Sequence, residues 1–227
     1  MACGLNHYFV SGVHAETEVR YAVSGQTRSR FDDLHCAQAM TDSSCGLMCV
    51  LTAAMVLCGI PRSQVENIAS AKRGPLRDLW TLARESYFEG ADEREIARWV
   101  DAFSPALTSE IETRRSARHI GNGAAAAVQA GHVPIVRFDS RTFSHFAPVI
   151  GIESMPGEPL PRALLLLDPA ASRPWGSFYN ARLELQTKAL SSVRASRTFT
   201  RPYRFVTGEA WAVKLTGMVI VKRSQPP

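Results

Sequence analysis

Cys45 lies where a polar stretch gives way to a long apolar segment. The side-chain oxygens of residues 42–44 (Asp-Ser-Ser) are typical acceptors for the free N–H groups of a first helical turn. Residues 45–58 carry no charge and are mostly apolar, and Gly59 is typical of a helix end. The macrodipole at a helix N-terminus favours a thiolate, so we predict that Cys45 is a nucleophile. Cys49 and Cys58 lie deeper in the same helix and are predicted to be structural thiols.

His145 and Asp168 are predicted to lie side by side at one edge of a sheet. Residues 146–152 and 163–167 have the composition of two strands, and residues 153–161 between them are rich in turn formers. In an antiparallel hairpin, the residue before the first strand lies opposite the residue after the second. A carboxylate beside an imidazole fixes its tautomer and stabilises its protonated form, as in a nucleophilic triad.

Cys45, His145 and Asp168 together have the chemistry of a cysteine hydrolase. The imidazole takes the thiol proton, the thiolate attacks a carbonyl, and N–H groups at the helix mouth stabilise the oxyanion. Gln38, seven residues before Cys45, can supply a further donor to that oxyanion.

The order of these motifs resembles that of the papain-like cysteine peptidases, and more narrowly the branch that removes double-glycine leader peptides from bacteriocin precursors. The resemblance covers roughly residues 36–180 and rests on four segments: Gln38 with Ser44-Cys45-Gly46, Gly131–Val136, His145–Ile152 and Leu167–Ala170. It implies that Cys45 is the nucleophile, His145 the base, Asp168 the orienting acid and Gln38 the oxyanion-hole glutamine. It also implies an α+β, papain-like fold in which a central N-terminal helix packs on an antiparallel sheet.

Two positions depart from that branch. Gln38 precedes Cys45 by one residue more than is usual, and Ser44 replaces a common aspartate. Related folds also carry glutamine deamidases and acyl transferases that act as effectors or toxins, and a fold alone does not choose among reactions. The alternatives are therefore a deamidase or acyl transferase with the same triad, or a catalytically silent module that binds a peptide.

The arrangement of the chain predicts one catalytic domain after a short extension. Helical patterns precede a run of strands, which is the α+β order. We assign residues 36–223 to the catalytic domain and residues 1–35 to an N-terminal extension that can cover the cleft. Trp175 follows Asp168 closely and is predicted to contact the substrate.

The resemblance implies a peptide or protein substrate, and composition argues against other classes of partner. The net charge of +5 comes from scattered basic residues without a long run, so no nucleic-acid partner is expected. The longest apolar segment is too short to cross a bilayer, and no signal peptide is apparent, so we expect no membrane insertion and a location in the cytoplasm, or export without a cleaved signal. No glycine-rich phosphate loop follows a predicted strand, so no cofactor is expected.

A zinc site is the weaker interpretation of the cysteines. Its four ligands would be His35, Cys36, Cys45 and Cys49, but the Cys-x-x-Cys knuckles that zinc sites usually contain are missing from the sequence. We therefore predict no metal.

Overall fold

The fold was analysed in a computed structural model of the chain. The structure describes residues 5–11, 13–15, 21–23, 30–39, 42–174, 177–185 and 201–224.

A buried helix, α1 (Cys45–Cys58), lies at the centre of the molecule and has the boundaries that the sequence predicts. Gly59 ends it in the left-handed conformation, with φ of 67°, and donates its N–H to the carbonyl of Met55 at 3.0 Å. Most residues of the helix are buried, because strands pack on one side of it and further helices pack on the other. The apolar composition of the segment follows from this position.

In the described part of the chain, four shorter helices and three 3-10 turns accompany α1. The segment around residues 92–100 begins with a capping box, in which Asp92 accepts the N–H of Glu95 and Glu95 accepts the N–H of Asp92. The helices are α2 (Arg62–Glu66), α3 (Pro75–Ala83), α4 (Glu93–Val100) and α5 (Ala117–Gln129), and the 3-10 turns are Ile68–Ser70, Glu85–Tyr87 and Asp101–Phe103.

Eleven strands are described, and six of them close into an antiparallel barrel. In chain order they are β1 (Asn6–Phe9), β2 (Val13–Ala15), β3 (Tyr21–Val23), β4 (Arg30–Asp32), β5 (Leu107–Thr113), β6 (Val133–Asp139), β7 (Ser144–Ser154), β8 (Ala163–Leu166), β9 (Ala181–Glu184), β10 (Arg201–Phe205) and β11 (Ala210–Arg223). The barrel runs β7-β6-β11-β10-β9-β8, and β8 pairs back with β7. Strand β1 adds to β7 and β5 adds to β11, while β2, β3 and β4 form a separate small sheet.

The predicted papain-like α+β fold, with a helix packed on an antiparallel sheet, is therefore wrong. The strands close on themselves because β7 and β11 are long and each changes partner along its length. The first part of β7 pairs with β6 and its later part with β8. Residues 210–213 of β11 pair with β10, and residues 214–221 pair with β6. Such a stagger between neighbouring strands is what closing a barrel requires.

The hairpin that carries His145 and Asp168 forms, with a register that differs from the simple one. If His145 and Asp168 faced each other across regular strands, Leu165 would pair with Pro148. Instead Leu165 pairs with Gly151, and the register shifts between Val149 and Gly151. A bulge thus separates the paired part of the hairpin from the edge where the two polar residues meet.

The division of the chain at residue 35 stays a prediction. Within the first 35 residues, β1 pairs with residues 151–154 of β7, and Leu34 is fully buried in the main core. No described helix is both long enough and apolar enough to cross a membrane.

Candidate active site

The three predicted catalytic residues line one cleft between the helices and the barrel. The cleft has a volume of about 460 Å³, and Cys45, His145, Asp168 and Gln38 all line it. Cys45 comes from the first residue of α1, His145 from the start of β7, and Asp168 from the segment that follows β8. Trp175 lies outside the described residues.

His145 and Asp168 form a buried ion pair. The Nε2 atom of His145 lies 2.8 Å from Oδ1 of Asp168, and both side chains are almost entirely buried. This contact leaves Nδ1 as the ring nitrogen that faces the thiol, since His145 also hydrogen-bonds to Cys45. Burial alone would lower the pKa of His145, but the charge and hydrogen bond of Asp168, together with Cys45, raise it to about 10.

Asp168 is held on every side by donors. Its Oδ1 also accepts the N–H of Ala170 at 2.7 Å, and its Oδ2 accepts the hydroxyl of the fully buried Tyr203. Burial alone would raise the pKa of this carboxyl, but the charge and hydrogen bond of His145 and the Tyr203 and Ala170 donors lower it. The carboxylate therefore stays ionised within the core.

The backbone of Asp168 is fixed as firmly as its side chain. Asn180 accepts the N–H of Asp168 at 2.6 Å and donates its side-chain amide to the carbonyl at 2.9 Å. The same carbonyl lies 2.9 Å from Nε2 of His35. His35 is buried, and that burial lowers its pKa, so the neutral ring donates this hydrogen bond. These contacts orient the carboxylate toward His145.

The Cys45 thiol has the electrostatics of a nucleophile. Burial alone would raise its pKa, but the hydrogen bond and charge of His145 lower it below its ordinary value. The backbone N–H groups of Phe146 and Gly46 also donate to the sulfur. A thiolate next to an imidazolium is the reactive form of such a pair.

The other described cysteines lack this environment. Burial raises the pKa of Cys36 to about 11, and burial with the nearby charge of Cys45 raises that of Cys49 well above its ordinary value. Burial also raises the pKa of Cys58, at the far end of α1. Among the described thiols, the lowered pKa singles out Cys45.

Polar side chains do not cap the first turn of α1. Ser44 stands at the N-cap position without a side-chain hydrogen bond to the helix. Asp42 instead accepts the N–H of Ser44 at 3.1 Å and its hydroxyl at 2.7 Å. The first N–H groups of a helix have no intrahelical acceptor. In this turn the N–H of Ser44 already donates to Asp42, and that of Gly46 donates to the Cys45 sulfur. The remaining N–H groups, such as that of Cys45 itself, are the candidates to donate to a developing oxyanion.

Gln38 lines the cleft, and its role at the oxyanion stays a prediction. Its backbone N–H donates to the carbonyl of Pro169 at 3.0 Å, which ties it to the segment that carries Asp168. Its Oε1 is buried and has no hydrogen-bond partner among the residues that the structure describes. Asp42 lies in the connection between Gln38 and Cys45, which is one residue longer than in the leader peptidases. Its carboxylate accepts the N–H of Ala39 at 3.0 Å and so ties the two ends of this connection together.

Sequence reasoning missed the residues that support Asp168. Tyr203 lies in β10, which was not predicted, and Asn180 and His35 are far from Asp168 in the chain. The one local signal was Asp168-Pro169-Ala170, because an aspartate commonly accepts the N–H two residues later in a turn. The other three contacts depend on the pairing of β8 with β9, on the place of β10 in the barrel and on the segment before α1.

The four residues of the weaker zinc interpretation do not converge. His35 contacts the carbonyl of Asp168, and Cys36 donates its S–H to the sulfur of Met55 at 3.9 Å. In the part of the chain that the structure describes, no three histidine, cysteine or acidic side chains form a group suited to a metal ion.

Comparison with known proteins does not assign the chain to a protein family. No protein-family model matches the sequence, and no curated protein is significantly similar to it. The chemistry of the cleft therefore has to be inferred from its own residues.

Proposed function

We propose that the protein is a cysteine-dependent amide hydrolase, and most simply a peptidase. The observation that carries the proposal is the linked set of Cys45, His145 and Asp168 in a cleft, with a thiol pKa below its ordinary value. A substrate of peptide or protein class rests on the motif order around Gln38, Cys45 and His145 that resembles the leader peptidases.

The proposed acylation step begins with transfer of the Cys45 proton to His145. His145 takes the thiol proton at Nδ1, and the Cys45 thiolate attacks the carbonyl carbon of the scissile amide. The oxyanion accepts hydrogen bonds from N–H groups at the start of α1 and from the side-chain amide of Gln38. The imidazolium then protonates the leaving amine, the C–N bond breaks, and a thioester to Cys45 remains.

Water completes the cycle. His145 removes a proton from a water molecule, the hydroxide adds to the thioester, and the thiolate leaves with the acid product released. Asp168 stays ionised throughout and stabilises the imidazolium, as its lowered pKa favours. The lowered pKa of Cys45 also argues against a silent binding module, which predicts an ordinary thiol.

The location follows the cysteine chemistry. The described cysteines are free thiols, which suits a reducing compartment. We accordingly propose the cytoplasm as the site of action.

Labelling with a thiol-directed electrophile tests the nucleophile. We expect the probe to label the wild-type chain at neutral pH and to lose the label in Cys45→Ala. Cys58→Ala is the matched control, because Cys58 lies on the same helix with a raised pKa and should leave labelling intact. Unchanged labelling of Cys45→Ala would contradict the assignment. Mass spectrometry of treated peptides then separates hydrolysis, which splits the chain, from glutamine deamidation, which does not.

A further inference from the structure

The charge on the cleft wall indicates what kind of side chain the cleft binds. Apart from the catalytic set, three charged residues line it: Asp42, Glu89 and Arg137. Two of these charges are already neutralised or fully hydrogen-bonded inside the protein, and one is not.

Asp42 is committed to the structure of its own loop. Its carboxylate accepts the N–H groups of Ala39 and Ser44 and the hydroxyl of Ser44. Tyr87 also hydrogen-bonds to it. A carboxylate with this many donors has little capacity left for a ligand.

Arg137, on the barrel side of the cleft, is balanced by carboxylates. Its Nη1 lies 3.2 Å from Oε2 of Glu93, and its Nε lies 3.5 Å from Oδ1 of Asp139. Its Nε also donates to the hydroxyl of Ser144 at 3.0 Å. Two carboxylates around one guanidinium leave no net positive charge to attract an anion.

Glu89 is the charge that remains uncompensated. It is exposed at the cleft and makes no hydrogen bond or ion pair with any residue that the structure describes. The opposite wall contributes aromatic surface instead of charge: Trp211 is 40% exposed, and its ring lies 4.7 Å from that of Phe143. The cleft is therefore acidic on one wall and apolar on the other.

We propose that the cleft selects peptides with a lysine or arginine side chain next to the scissile bond, and that Glu89 pairs with its cationic head. The aliphatic stem of such a side chain is compatible with the aromatic wall. This inference rests on the proposed peptidase function and adds the substrate class to it.

Matched peptides that differ in one charged residue test the inference. Lysine, glutamine or glutamate is placed in turn at each position on either side of the scissile bond. For the wild-type chain we expect kcat/KM to favour lysine over glutamate by about twofold to fivefold at the preferred position, the ratio that an exposed ion pair gives. The preference should weaken as salt is added, because both charges are exposed.

Reversal of the charge at position 89 tests the inference more directly than the wild-type preference does. Glu89→Lys should favour glutamate at the same position, and Glu89→Gln should remove the discrimination. Glu85→Lys is the control, since Glu85 is exposed on the neighbouring turn but does not line the cleft, and it should keep the wild-type preference. Binding of the lysine and glutamate peptides to Cys45→Ala, measured by fluorescence anisotropy, reads the same preference without turnover.

The outcomes separate this inference from the proposed function. Cleavage that depends on Cys45 but ignores the charge at position 89 overturns the substrate class and leaves the peptidase standing. A Cys45→Ala variant that binds both peptides equally also overturns it. A wild-type chain that neither labels at Cys45 nor turns over any peptide overturns both proposals.

Discussion

At the scale of single residues, the lowered pKa of Cys45 depends chiefly on one neighbour. The thiol is buried, and burial on its own raises a thiol pKa, as it does at Cys36 and Cys49. What reverses the direction at Cys45 is first the hydrogen bond and then the charge of His145. The pKa of His145 is raised in turn, first by the charge and hydrogen bond of Asp168 and then by Cys45.

Removal of His145 should therefore raise the pKa of Cys45 above its ordinary value of 9.0. We expect alkylation of wild-type Cys45 to have its midpoint below that value and His145→Gln to have it above, with the rate at neutral pH falling roughly tenfold for each pH unit gained. Alkylation rates against pH measure this directly. His119→Gln, an exposed histidine that pairs with Glu112, is the control and should follow the wild-type curve. Coincident midpoints in wild type and His145→Gln would show that His145 does not activate the thiol.

At the scale of elements, the helix and the hairpin could be predicted because their signals are local. The limits of α1 follow from one uncharged apolar segment and Gly59. The contact between His145 and Asp168 follows from two strands and a turn, and it forms even though a bulge shifts the register of the hairpin. Both features need only a short stretch of chain.

The elements that were missed depend on distant partners. Residues 104–122 are mostly polar in the sequence, which is typical of loops, yet they contain β5 and the start of α5. The two glycines within α5 belong to a close packing contact, because a Cβ at Gly121 would lie 2.6 Å from Leu185 and one at Gly123 would lie 2.7 Å from Met218. A glycine needed for packing looks the same in sequence as a glycine that ends a helix.

Closure of the barrel could not be predicted for the same reason. Strand β10 contains a proline and two arginines, which is atypical of a buried strand, yet it lies between β9 and β11. Hydrophobic periodicity reports which face of a strand is buried and not which strands are neighbours. A prediction that lacks β10 therefore arranges the remaining strands as an open sheet and leaves Tyr203 out of the site.

Gly151 tests whether β1 is an integral part of the barrel. A Cβ at this position would lie 2.6 Å from the ring of Phe9 and 2.8 Å from the backbone oxygen of Tyr8. Gly151→Ala should therefore push β1 away from β7 and lower the free energy of unfolding by about 1–3 kcal/mol. Chemical denaturation measures the change.

The matched control for that experiment is Ser154→Ala, on the same strand. Ser154 is partly exposed, and its replacement should change the unfolding free energy by less than about 0.5 kcal/mol. The alkylation rate of Cys45 should stay at the wild-type level in both variants, because His145 lies at the other end of β7. Equal stability of the two variants would mean that β1 adds little to the fold.

At the scale of the whole molecule, Asp168 joins parts of the chain that are far apart in sequence. Through it, β7 (His145), β10 (Tyr203), the start of β9 (Asn180) and the segment before α1 (His35) meet at one point. The residue that orients the His145 imidazole is therefore also one that holds the barrel to the segment leading into α1. Function and stability are coupled there.

This coupling predicts how stability depends on pH. The pKa of Asp168 in the fold lies below 3.8, its ordinary value, because His145, Tyr203 and Ala170 stabilise the charge against burial. A carboxyl with a lowered pKa contributes stability that is fully present above 3.8 and is lost as the pH falls through the native pKa. We expect Asp168→Asn to lower the unfolding free energy at neutral pH by about 3 kcal/mol, the usual cost of breaking a buried pair. The gap from wild type should narrow below pH 3.8. Denaturant unfolding across this range measures it, with the exposed Asp78→Asn as the control. A gap that stays constant as the pH falls would mean that Asp168 is not held as a stabilised carboxylate in the folded protein.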